Sequence, residues 1–194
     1  VWLARILRPP VGRRTVGVLS LGLAIGLAVL ASGGARLPGA AAARLGSVAD
    51  TFAVWGVADA EVDDANFATI ERVAHWEAAV AMWADRPWLG QGPGQYEIAY
   101  ARYRLPRWGE ALGHAHNAYL HVLAEAGIVG LAGFLVFLLG AARLALRAAL
   151  RPVSPLHGAL GLGLVGVLGA LACHSLVDNL FVHDLTIHLG LVLG

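Results

Sequence analysis

Three stretches of this chain are long, apolar and free of formal charge: Thr15 to about Ala35, about Gly127 to Ala142, and about Leu156 to Leu176. A helix needs about 20 apolar residues to cross the hydrocarbon core of a bilayer. The second stretch reaches a full span by starting near Tyr119 and letting Arg143 snorkel. A fourth, Leu185 to Gly194, is too short to span and reads as the start of a helix that the chain does not finish. Composition agrees with a membrane protein. Hydrophobic residues make up 58% and charged residues 14%, with a mean hydropathy of +0.66. A soluble domain carries about 25% charged side chains, so this chain cannot cover a water-facing surface in the usual way. The first stretch is also longer than the apolar part of a signal peptide, and further spans follow it. The expected fold class is therefore all-α: a polytopic integral membrane protein, a helical bundle with a large outward-facing loop between helices one and two.

The net charge of +1 excludes a strongly basic nucleic-acid binder. Cys173, the single cysteine, excludes an intramolecular disulfide framework and a four-cysteine metal site. All the basic residues are Arg, which together with the excess of Ala and Gly suggests a GC-rich coding bias.

The arginines give an orientation. Arg5, Arg8, Arg13 and Arg14 precede the first helix, and Arg143, Arg147 and Arg151 lie between the second and third, with no acid beside them. The remaining arginines lie between helices one and two, diluted by the acids from Asp50 to Glu125. By the positive-inside rule, residues 1–14 form a cytoplasmic basic segment and 15–35 a membrane helix. Residues 36–126 form a periplasmic or extracellular loop, and 127–194 hold the later membrane helices, the third complete near 156–176. Small residues four apart, Gly22 and Gly26 or Gly166 and Ala170, are read as tight helix packing.

An outward loop of this length is more than a connector. Its first part, Leu37–Asp64, reads as weakly structured. Phe67–Ala84 reads as a helix capped by Asp64 or Asn66 and stopped before Pro87. Its apolar stripe (Phe67, Ile70, Ala74, Trp76, Val80, Trp83), together with Trp55 and Trp88, suits a helix lying on the membrane surface. Gly90, Gly92 and Gly94 then form a tight turn, read either as purely structural or as an anion cradle of backbone N–H groups. Arg102, Arg104 and Arg107 follow, as a solvated basic loop or a contact for lipid phosphates.

The sharpest local feature is Gly113-His114-Ala115-His116-Asn117, directly before the second membrane helix. A neutral imidazole near a helix N-terminus can accept a proton from an incoming hydroxyl, while the helix dipole disfavours the imidazolium. A hydrogen-bonding cap is the plain alternative. A metal set of His114, His116, His121 and Glu125 is another, weakened because these histidines do not share one helical face.

His116-Asn117, followed after nine residues by Gly127-Ile128-Val129-Gly130, resembles the signature of the O-antigen ligase family, which includes related polymerases. Upstream, Arg72, Trp76, Ala79, Met82 and the run Asp85-Arg86-Pro87-Trp88-Leu89-Gly90-Gln91-Gly92-Pro93-Gly94 are similar to that family's outer-loop pattern. The likeness covers roughly Glu71 to Leu139, and more loosely His174 to Asp184. It implies the C-terminal portion of a GT-C-like membrane glycosyltransferase. Such an enzyme takes a glycan from an undecaprenyl-diphosphate carrier and delivers it to lipid A–core or to another glycan, among membrane lipids and without nucleic acid. The resemblance further implies His116 as catalytic base and Arg72 as a diphosphate ligand, because a guanidinium pairs with phosphate oxygens in a bidentate fork. His114, Asn117, Gly92 and Gly94 become substrate-binding candidates. No metal, nucleotide or other cofactor is expected.

Family members carry more spans and a further diphosphate-binding Arg on an upstream outer loop, so the sequence reads as a C-terminal piece of a longer enzyme. Arg86, His174 and Asp178 are second-tier candidates. The last two are i,i+4 partners if the third helix continues, and are read as a helix-end hydrogen-bond pair or as groups that orient the acceptor or His116. Two other functions stand beside the transferase. One is a transport-related subunit, disfavoured because helices one and two hold no ionisable residue in mid-membrane. The other is a non-catalytic assembly module.

Overall fold

The computed structural model describes residues 51–181, together with Gly17, Gly39 and Gly46. The expected first span (but for Gly17) and the short run 185–194 lie outside the described residues. Among the described residues every regular element is helical. A 3-10 turn at Val57–Asp59 precedes α1 (Phe67–Asp85), α2 (Tyr96–Tyr103), α3 (Ala118–Leu150) and α4 (Pro155–His174). The chain divides into two compact units, residues 47–136 with 171–194, and residues 1–46 with 137–170.

In the first unit, α1 follows the predicted span closely. Its start differs in detail from the expected side-chain cap. Asn66 occupies the N-cap position, but its side chain turns backward, accepting from the Asp63 N–H and donating to the Glu61 carbonyl. Asp63, not Asp64, collects the N–H groups of Ala65 and Asn66. The apolar stripe also has a different destination from the expected membrane surface. Ile70, Val73, Ala74, Trp76, Ala78, Ala79 and Met82 are buried within the unit itself. Tyr96 and Tyr100 of α2, with Ala115 and Ala124, cover one side of the helix. Val57 and Trp108 cover another. Of the stripe, Ile70, Ala74 and Trp76 are covered by protein and Val80 and Trp83 are half-buried, whereas Phe67, like Trp55 and Trp88, is exposed. The 3-10 turn is fastened to α1 by Glu77, whose carboxylate accepts the N–H groups of Gly56 (2.6 Å) and Val57 (3.0 Å).

Helix α3 begins at Ala118, nine residues ahead of the apolar run, and bends at Gly127, where φ is 63° and ψ is −163°. That backbone region is essentially open to glycine alone. The break strips several backbone groups of their helical partners, and the loop after α1 supplies replacements. Gln91 N donates to the Ala124 carbonyl (2.9 Å) and Gly92 N to that of Glu125 (2.8 Å). In return Ile128 N reaches the Pro87 carbonyl (2.9 Å) and Val129 N that of Trp88 (3.2 Å). The fit is close enough that a Cβ on Gly90 would strike the Glu125 backbone, and one on Gly127 the backbone of Trp88 and Leu89. The Pro87–Gly94 turn and the Gly127–Gly130 motif are thus one interlocked structure.

In the second unit α3 continues to Leu150, and α4 runs Pro155–His174 against the expected 156–176. Both helices are long and apolar enough to cross a membrane. Their close approach falls at Gly161, against the backbone of Ala148 and Ala149, rather than at Gly166 and Ala170. Among the described residues a Cβ on Gly166 would meet nothing within 4 Å. Val136, Leu139, Leu144, Leu156 and Leu160 point outward uncovered, as on helices that face lipid.

Candidate functional site

The candidate centre forms where the loop before α3 meets the segment after α4, within the first unit. Asn117 starts α3 by accepting the Leu120 N–H on its side-chain oxygen (3.0 Å), a side-chain N-cap. Its amide nitrogen donates to the Leu176 carbonyl (2.7 Å), and Ala118 N donates to the Ser175 carbonyl (2.9 Å). These bonds fasten residues 175–178 beside His116. Asp178 then stands with Oδ1 3.3 Å from His116 Nδ1. The expected i,i+4 pair with His174 does not form, because α4 ends at His174 and the chain turns. Asp178 N bonds back to the His174 carbonyl, while the carboxylate turns to His116.

His116 itself is held from several directions. Its φ of 49° is left-handed, a conformation that costs a non-glycine residue about 1–3 kcal/mol and persists where surrounding contacts enforce it. Trp76 Nε1 donates to its carbonyl (3.1 Å), and its own N–H donates to His114 Nδ1 (3.1 Å). The His75 and His114 rings pack edge-on against its ring, with centroids 5.4 and 4.4 Å away.

The electrostatics fix the roles of the two ring nitrogens. Burial pushes the Asp178 carboxyl up, but the Asn179 N–H and the His116 imidazole outweigh it and hold the group below its ordinary value. An ionised carboxylate only accepts, so His116 Nδ1 carries the proton in the dyad. In the neutral form of the ring, that tautomer leaves the lone pair on Nε2. That Nε2 is buried and has no protein partner among the described residues. The arrangement is a histidine with a carboxylate at Nδ1 and an unengaged Nε2, the geometry that general-base chemistry uses.

His75, not singled out by the sequence reasoning, is part of this centre. It is 1% exposed, stacks on Tyr100 at 4.8 Å, and has Nδ1 3.3 Å from the Tyr96 hydroxyl. Burial first, then the neighbouring His116 and His114, push its pKa down to about 4, so it stays neutral. The available signal was helical spacing, since His75 sits three residues after Arg72 and one before Trp76.

Arg72 shares the face of α1 that carries His75 and Trp76, three and four residues on, both of which touch His116. Its Nη1 donates to the Ala68 carbonyl (3.2 Å), and its buried Nε has no partner among the described residues. Arg86, at the far end of α1, is roughly 20 Å along the helix axis from Arg72 at 1.5 Å per residue and is not brought to the centre. His174 is exposed at the end of α4.

Gly92 and Gly94 lie at Glu125. Gly92 N donates to the Glu125 carbonyl, and Gly94 N (2.9 Å) and Tyr96 N (2.9 Å) donate to its carboxylate. The turn does cradle an anion, and that anion is the protein's own. The metal set considered from sequence is split, because His121 pairs with Glu125 at 3.7 Å. Among the described residues the group that could hold a cation is His114, His116 and Asp178, with ligand atoms within 4.8 Å of one another.

A family model described as O-antigen ligase matches residues 1–135. No curated protein matches the chain. The matched stretch includes both interlocked motifs, Arg72 and His116, while Asp178 lies beyond it. The chain belongs to the O-antigen ligase family, whose members are membrane-embedded enzymes of lipid-linked glycan ligation or polymerisation in the bacterial inner membrane.

Proposed function

We propose that the protein transfers a glycan from an undecaprenyl-diphosphate carrier to a lipid-linked or glycan acceptor at the outer face of the membrane. His116 is the general base. The acceptor hydroxyl gives its proton to Nε2 as its oxygen bonds to the anomeric carbon. The bond from that carbon to the diphosphate breaks, and undecaprenyl diphosphate leaves. Asp178 holds the ring in the tautomer that frees Nε2 and stabilises the imidazolium as it forms. Arg72, one turn from His75 and Trp76, receives the diphosphate charge that develops on the leaving group. His114 and Asn117 shape the entrance, and Gly92 and Gly94 act through the rigid turn at Glu125. In this reading residues 36–126 face outward, residues 1–14 and the end of α3 with Arg143, Arg147 and Arg151 face the cytoplasm, and no metal takes part.

The observation that carries the reading is the Asp178–His116 pair with its unengaged Nε2. The test is glycan transfer by the full-length enzyme in proteoliposomes. His116→Ala should abolish transfer while leaving the protein folded; retained transfer would refute the assignment.

A further inference from the structure

An open cavity of about 390 Å³ lies beside the N-terminal half of α1, lined by Phe67, Glu71, His75, Arg107, Trp108 and Glu110. Its volume falls within the roughly 300–1,000 Å³ range of small-molecule sites. His75 is one of its lining residues, and the His116 ring packs edge-on against His75 with centroids 5.4 Å apart. Phe67 and Trp108 form an aromatic corner, with centroids 5.4 Å apart and planes at 57°. Phe67 is 47% exposed, although it begins a helix that buries most of its apolar face. Glu71, Arg107 and Glu110 converge on the same space. Among the described residues, none of their side chains makes a hydrogen bond or salt bridge.

We infer that this cavity is a sugar-binding subsite, which takes one pyranose unit of the glycan that reacts at His116. The inference rests on the transferase reading and adds to it the place where a sugar ring docks. A pyranose has an apolar C–H face and a rim of hydroxyls. The exposed Phe67 ring, backed by Trp108, suits the face, while two carboxylates and a guanidinium suit the rim, accepting from and donating to hydroxyls. The charge excludes the diphosphate from this pocket: two acids face one base, and His75 is neutral. The phosphates belong at Arg72 and the sugar in this cavity.

The sugar could belong to donor or acceptor, and steady-state kinetics of the full-length enzyme in proteoliposomes separates the two. Phe67→Ala, Arg107→Gln and Glu110→Gln alter exposed side chains that take no part in the chemistry. Each should raise a KM about tenfold, with kcat within about twofold of wild type, which is about 1.4 kcal/mol of lost ground-state binding. A rise in the donor KM assigns the ring to the donor, and a rise in the acceptor KM assigns it to the acceptor. If wild type transfers glycan and no variant moves either KM, the subsite is refuted. If wild type transfers nothing, the transferase reading fails, and the cavity is judged by saturation-transfer NMR. The probes are the methyl glycosides of glucose, galactose and N-acetylglucosamine, added to the detergent-solubilised protein. Ring-proton signals lost in Phe67→Ala uphold sugar binding. Signals equal in the variant, or absent from wild type, overturn it.

Discussion

Gly127→Ala is the most demanding test of the interlock between the loop after α1 and the bend in α3. At φ 63° and ψ −163° an alanine is forced into a region that costs about 1–3 kcal/mol. Its Cβ would meet the backbone of Trp88 and Leu89, which cannot swing aside as a side chain can. Relief requires moving the loop, which strains the Ile128–Pro87 and Val129–Trp88 hydrogen bonds at about 1 kcal/mol each. The sum is about 3–5 kcal/mol. For a chain of this length 1 kcal/mol moves the midpoint by about 2–4 °C, so Tm in detergent should fall by about 6–20 °C. Gly133→Ala and Gly140→Ala are the internal controls. Both glycines lie in the same helix, and among the described residues an added Cβ there meets nothing within 4 Å. They should leave Tm unchanged or raise it slightly, since alanine is the better helix former by about 1 kcal/mol. Scanning fluorimetry of the three variants decides the matter. A Gly127→Ala protein melting within about 2 °C of wild type, or falling no further than the controls, would refute the interlock.

Replacing Asp178 by Asn leaves the shape of the dyad but removes the carboxylate that fixes the tautomer of His116. Transfer assays should show kcat lowered by about 10²- to 10⁴-fold with KM within about twofold, and partial recovery in Asp178→Glu. Arg72→Lys keeps the charge but loses the fork, so the donor KM or kcat should worsen by at least about tenfold, without a change in Tm. Glu125→Gln weakens the acceptor shared by Gly94 and Tyr96 and should cost about 1–3 kcal/mol, read as a lower Tm. His75 predicts a pH dependence of stability. The unfolded chain takes up a proton near the ordinary histidine value of 6.5, whereas the folded ring resists protonation down to about 4. Stability is therefore fully present above about pH 6.5 and falls as the pH drops toward 4, by about 3 kcal/mol from this group. Thermal melts between pH 7 and 4 should show this slope, and His75→Gln should flatten it.

The span of α1 was legible because its apolar residues recur at helical spacing and Pro87 stops it. The use of its stripe was not. The same pattern serves a membrane surface or a protein core, and only the arrival of Tyr96, Tyr100 and Trp108 decides between them. The start of α3 at Ala118 lies one residue from the Tyr119 start that a full span requires, although hydropathy marks only where apolar residues begin. The helix begins at its cap, Asn117, and runs through polar His121 and Glu125 before the apolar stretch. The glycine turn was legible as a turn, yet its anion was a carboxylate 31 residues downstream of Gly94. No local pattern announces such a contact. The partnership of Asp178 with His116 spans 62 residues, and helix spacing pointed instead to His174. That spacing rule fails once the helix ends.

The two key side chains are held in opposite ways, and the contrast suits the proposed chemistry. His116 is over-determined: its N–H, carbonyl and Nδ1 are each engaged, and two further imidazoles pack its ring. A base that must meet an acceptor hydroxyl at one distance gains from this, because no reorganisation is left for the moment of proton transfer. Arg72 makes its one hydrogen bond among the described residues to its own helix, at Ala68, and keeps Nε unpaired. A clamp on a departing diphosphate needs that freedom, since the charge it stabilises moves away from the sugar as the bond breaks. A site with the fixities exchanged, a loose histidine and an arginine locked in a salt bridge, would bind the carrier and fail to transfer from it. The strain at His116 is therefore best understood as the cost of rigidity at the one atom whose position the reaction cannot adjust.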